Sequence, residues 1–126
     1  MTLKNKSPMN KPPIRLRTTD AFDRSIKRLS KKYRNVGKDL ESLIERLRAG
    51  ETPGDQIPGV GYPVYKERLP NRDSQSGQSG GYRVIYYVQT ETAVYLIEIY
   101  AKGIKENIQP ETIRRIIAEE IEPPVE

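Results

Sequence analysis

The chain has 126 residues, 22 Lys and Arg against 17 Asp and Glu, and a net charge of +5. That length fits a single domain with a real core, and the positive excess favours an anionic partner such as nucleic acid or an acidic protein. With no Cys and no His, a disulfide framework, a Cys/His zinc site, a Cys nucleophile, a Ser-His-Asp triad and a histidine-pair nuclease are excluded.

Residues 1–13 are polar, carry Lys4, Lys6 and Lys11, and end in Pro12-Pro13. They read as a disordered basic arm, and without an apolar stretch they do not read as a signal peptide. No apolar run approaches the ~20 residues of a membrane span, and a chain without Cys is compatible with the cytoplasm. Ile14 to Thr18 alternates apolar and basic residues, a short strand pattern. Thr19 or Asp20 suits a helix N-cap. Phe22, Ile26, Leu29 and Tyr33 then recur at helical spacing, with Arg24, Lys27, Arg28, Lys31, Lys32 and Arg34 filling the rest of that helix. After a break at Val36-Gly37, a second stripe of Leu40, Leu43, Ile44 and Leu47 leads to a C-terminal cap at Gly50. The short break predicts an antiparallel helical hairpin.

The Gly and Pro density of 50–61 argues against regular structure there. Tyr62 to Leu69 alternates as a strand, Pro70 to Gly80 reads as a polar loop, and 82–89 and 94–101 are strand-like runs joined by a tight turn at 90–93. A last helix starts at Pro110 and carries Ile113, Ile116, Ile117 and Ile121 to about residue 121. Residues 122–126 read as a tail. Helices are expected at 20–34, 37–49 and 110–121, and strands at 14–18, 62–69, 82–89 and 94–101. This order predicts an α+β domain over 14–121. Its sheet is expected to be four-stranded and mostly antiparallel, with the hairpin on one face.

Strand alternation puts Val64, Lys66 and Arg68 on one face, and Tyr65, Glu67 and Leu69 on the other. Arg83 follows Gly80-Gly81-Tyr82 and is expected to point to an uncovered sheet face. Tyr100, Lys102 and Lys105 lie at the end of the last strand, and Arg72 in the preceding loop. Cations with Tyr nearby suit a phosphate backbone. On the residues alone, the same groups also suit a solvated surface, and Arg83 also suits an ion pair with Glu98.

The run Ser79-Gly80-Gly81-Tyr82-Arg83-Val84-Ile85-Tyr86-Tyr87, with Ile99-Tyr100-Ala101-Lys102 and Lys105-Glu106-Asn107-Ile108 after it, resembles the RelE/ParE superfamily of toxin–antitoxin toxins in its HigB-like branch. The resemblance spans 14–121. It implies a fold like that of microbial ribonucleases and a cytoplasmic, metal-independent endoribonuclease that cuts mRNA on the ribosome and is held inactive by a cognate antitoxin protein. It also implies no cofactor. Lys66, Arg68 and Arg83 match positions where the family keeps catalytic basic residues, and Lys102 or Lys105 a further one. Two positions depart from the pattern: Gln78 stands where a basic residue often precedes Ser-Gly-Gly, and the last strand ends without Arg. For such a reaction Lys66 is expected to be the base, Arg68 and Arg83 to neutralise the phosphate, and Lys102, Lys105 or Tyr100 to protonate the leaving oxygen. Arg72, Tyr82 and Lys31 are expected to contact substrate. The alternatives are a gyrase-targeting inhibitor of the same superfamily and an inactive nucleic-acid-binding module.

Overall fold

The computed structural model describes residues 13–73, 81–103 and 107–122. The expectations for residues 1–12, for 74–80 of the polar loop, for Lys105 and for 123–126 lie outside them. Three helices pack on a five-stranded mixed sheet. The strands are β1 (Arg15–Thr18), β2 (Asp55–Gln56), β3 (Val64–Leu69), β4 (Tyr82–Thr90) and β5 (Ala93–Ala101). Their spatial order is β1-β5-β4-β3-β2. β1 runs parallel to β5, and every other pair is antiparallel.

Helix α1 (Asp20–Lys32) starts where Thr19 turns the chain off the sheet. The Thr19 hydroxyl accepts from the Phe22 amide at 3.0 Å and donates to the Ile97 carbonyl at 2.7 Å. One side chain therefore caps the helix and ties it to β5. Helix α2 (Val36–Arg48) follows after a short turn. It ends where Gly50, at φ +91°, lets the Glu51 amide reach back to the Arg46 carbonyl.

Phe22, Leu29, Leu40, Leu43 and Leu47 of this hairpin pack on Tyr82, Val84, Tyr86, Leu96 and Ile99. Burying a Leu or Ile fully is worth roughly 1.5–3 kcal/mol, so this layer is a principal source of stability. Residues of the other parity, Val64, Ile85, Tyr87 and Ile97, pack under α3 (Pro110–Ile116) through Ile113 and Ile117. The helix continues as a wider π turn over Ile117–Ile121, closed by the Glu122 amide on the Ile117 carbonyl at 2.7 Å. Glu122 then accepts from Tyr87 and Gln89 of β4.

Two expectations are corrected. The sheet has five strands instead of four, because Asp55 and Gln56 pair with Lys66 and Tyr65 inside the Gly- and Pro-rich stretch. Gly54, at φ +93°, makes that approach possible, since a Cβ there would collide with the Lys66 carbonyl. Two residues are too few to show alternation; backbone pairing with an existing edge decides the strand. The second correction concerns the sheet face that carries Arg83. Its apolar residues pack under α3, and Arg83 itself is only 9% exposed.

Candidate functional site

The antiparallel register of β3 and β4 makes Arg68 the Cα partner of Arg83, and Lys66 that of Ile85. On the other side of β4, Arg83 is the partner of Tyr100. Arg68, Arg83 and Tyr100 thus form one row across three strands. Lys66 lies two residues along β3 from Arg68, about 7 Å at the usual strand rise. Directly opposed residues of an antiparallel pair share a face, and like charges in that relation repel. The row therefore concentrates positive potential at one end of the α3 face.

Gly81 brings these strand ends together. Its φ is +67°, and a Cβ there would collide with the Leu69 carbonyl oxygen. Only glycine lets the chain enter β4 in this register with β3. Across the sheet, the Lys102 amide donates to the Gly81 carbonyl at 2.9 Å, which fixes the end of β5 beside the start of β4.

The row's members differ in access. Arg68 is exposed. Arg83 is buried, with Nη1 donating to the Tyr82 carbonyl at 3.3 Å. Tyr100 is 6% exposed within the core beneath α3. Lys66 is half-buried and its Nζ donates to Asn107 Oδ1 at 3.3 Å. Asn107 lies in the Lys105–Ile108 run of the resemblance, which assigns it no role; it joins the site through its contact with Lys66. Lys102, just beyond β5, is partly exposed.

Glu67 points away, as alternation requires, with Oε2 3.3 Å from Arg46 Nη1 of α2. Glu98 also faces the hairpin, where it accepts from Ser25 of α1. A register irregularity between Ile85 and Tyr86 accompanies this turn of β5. The alternative reading of Arg83 as an ion-pair partner of Glu98 does not fit, because Glu98 faces the hairpin and Arg83 the α3 face.

Three residues expected at the substrate lie elsewhere. Tyr82 is fully buried in the hairpin layer, edge-to-face with Tyr33 at 5.8 Å. Burial pushes its phenol well above the usual tyrosine value, and the Asp39 and Asp73 charges add to the shift. Arg72 pairs through Nε with Asp39 Oδ1 at 3.0 Å, and its amide donates to Asp39 Oδ2 at 3.1 Å. Asp39 belongs to α2 and its side chain is fully buried. Asp73 accepts from the Asn35 amide and side chain at 2.7 and 2.9 Å. These contacts clamp the segment after β3 to the start of α2. Lys31 is exposed on α1, on the other layer of the molecule.

Among the described residues, no group of three or more His, Cys, Asp or Glu side chains is arranged to hold a metal ion. No described helix is long and apolar enough to cross a membrane. What the Lys66, Arg68 and Arg83 cluster offers chemically is two guanidinium forks and an ammonium, groups suited to a phosphodiester. No known family model matches the chain, and no curated protein matches it.

Proposed function

We propose that this chain is the toxin of a toxin–antitoxin pair, a ribosome-dependent mRNA endoribonuclease of the RelE/ParE kind that arrests translation in the cytoplasm. The observation that carries this reading is the alignment of Arg68, Arg83 and Tyr100 across β3, β4 and β5, with Lys66 beside them. Two arginines in direct cross-strand register suit a shared anion, and a phosphodiester is such an anion.

In this reading Arg68 and Arg83 hold the scissile phosphate and neutralise the charge that grows on its oxygens. Acting as the neutral amine, Lys66 takes the proton from the ribose 2′-OH and becomes the ammonium, with Asn107 orienting it. The 2′-oxygen bonds to phosphorus and the bond from phosphorus to the 5′-oxygen breaks. The products are a 2′,3′-cyclic phosphate and a 5′-hydroxyl end. The proton for the departing oxygen comes from the end of β5, where Tyr100 and Lys102 stand. An isolated site without His is modest in acid–base power, which suits an enzyme whose substrate is positioned by a ribosome. A cognate antitoxin holds the protein silent until it is needed.

Inducing the chain in cells and mapping mRNA 5′ ends tests the proposal. New ends inside translated frames are expected. Intact mRNA accompanied by DNA damage would instead indicate gyrase as the target and sink the nuclease reading.

A further inference from the structure

The charge of the chain is unevenly placed. Residues 14–34 hold eight Lys and Arg against two Asp, a net +6, whereas the entire chain carries +5. Six of those cations, Arg24, Lys27, Arg28, Lys31, Lys32 and Arg34, lie on α1 or directly after it, and all are exposed. At 100° per residue the five on the helix fall within an arc of about 140°, and Arg34 follows the extended Tyr33 that ends it. The apolar stripe of Phe22, Ile26 and Leu29 lies opposite and is spent on the core.

We propose that this face of α1 is a second anion-binding surface, separate from the Arg68–Arg83 row, and that its partner is the phosphate backbone of duplex RNA. The cationic arc has no apolar residue within it, so a protein partner would find no hydrophobic anchor of the kind that carries most interfaces. Insertion into a lipid surface needs the helix's apolar side, which the sheet already covers. A phosphate backbone needs cations alone. The arc from Arg24 to Lys32 spans about 12 Å, a length over which a duplex presents roughly seven phosphate charges. The row at the β3–β4 end lies on the opposite side of the sheet. The molecule can therefore grip structured RNA with one layer while a single strand occupies the other. In the proposed function this surface holds the protein on ribosomal RNA. Duplex binding is measured without cleavage, so the two readings fail separately.

The test uses the full chain and a blunt 20-base-pair RNA duplex, with binding followed by fluorescence anisotropy from 50 to 200 mM KCl. The triple variant Arg24→Gln, Lys27→Gln, Lys31→Gln changes only exposed positions, where substitutions shift stability by about 0.5 kcal/mol or less. Thermal melting verifies its fold. It is expected to bind at least tenfold more weakly at 100 mM. The slope of log affinity against log salt should fall by roughly 2 to 3, near 0.9 per lost phosphate contact. Arg68→Gln is expected to hold the duplex within twofold of the parent. Parental affinity and slope in the triple variant would overturn the proposal. So would tighter parental binding to a polyglutamate peptide or to vesicles containing 30% phosphatidylserine than to the duplex.

Discussion

Arg68 of β3 and Arg83 of β4 are direct cross-strand partners, one exposed and one buried, at the end of the sheet where Gly81 lets the two strands close. Like charges in direct cross-strand register disfavour each other. The pairing is intelligible as an anion site, in which the buried Arg83 is held rigid by the sheet and the exposed Arg68 meets the ligand from solvent.

The hinge between β1 and α1 rests on a single hydroxyl. Thr19 caps α1 and also donates to the Ile97 carbonyl from a site only 2% exposed. Thr19→Val keeps the shape and removes both hydrogen bonds. It is expected to lower stability by about 1–3 kcal/mol, read from urea or thermal unfolding. Thr19→Ser keeps the oxygen and is expected to recover most of that loss. Equal destabilisation by Val and Ser would show that the methyl group matters and the hydroxyl does not.

Asp39 is the buried anchor of the segment leaving β3. Removing its carboxylate takes the acceptor from the Arg72 amide and returns the mostly exposed guanidinium to solvent. Asp39→Ala is expected to cost about 1–3 kcal/mol in unfolding free energy. Arg72→Ala, which leaves the buried carboxylate with the Arg72 backbone amide alone, is expected to cost at least as much. A neutral Arg72→Ala variant would show that the buried carboxylate does not depend on its ion pair.

Alkaline pH should weaken the fold through its tyrosines. Burial raises the phenols of Tyr82, Tyr86 and Tyr87 above the ordinary value near 10. Tyr87 is raised further by its bond to Glu122. Below pH 10 both folded and unfolded chains hold these protons, so stability is intact. Above it the unfolded chain releases them while the folded chain retains them. Stability should then fall by about 1.4 kcal/mol per pH unit for each phenol, about 4 for the three together. Denaturant unfolding at pH 8 to 11 measures the slope, and Tyr87→Phe should reduce it by about one proton. A flat profile to pH 11 would contradict the account.

The α+β class and the presence of both hairpin helices were legible because their apolar stripes are long and their caps are chemically marked, as at Thr19 and Gly50; the break read at Val36-Gly37 lies instead at 33–35. The parity of Lys66, Glu67 and Arg68 was legible too, since a strand side chain has two choices of face. The cover over the second face was not. That α3 packs there depends on Ile113 and Ile117 finding Ile85 and Ile97, a pairing over long sequence separation that no local pattern encodes. Arg72 and Tyr82 were expected beside Arg83 because they are its near neighbours in sequence. Alternation along β4 turns Tyr82 into the other layer, and the buried Asp39 draws Arg72 after it. Both were errors of reading proximity along the chain as proximity in space.

The most direct test of the central claim compares purified Arg68→Ala with the parent in mRNA cleavage on programmed ribosomes, with thermal melting of both proteins. Arg68 is exposed, so its loss leaves the core untouched, and the melting temperatures should agree. Loss of one charge-assisted phosphate contact that strengthens in the transition state should cost about 2–4 kcal/mol, roughly 30- to 1,000-fold in rate. The account predicts a variant that melts like the parent and cleaves at least 30-fold more slowly; cleavage at the parental rate, or a parent that leaves ribosome-bound mRNA intact, would contradict it.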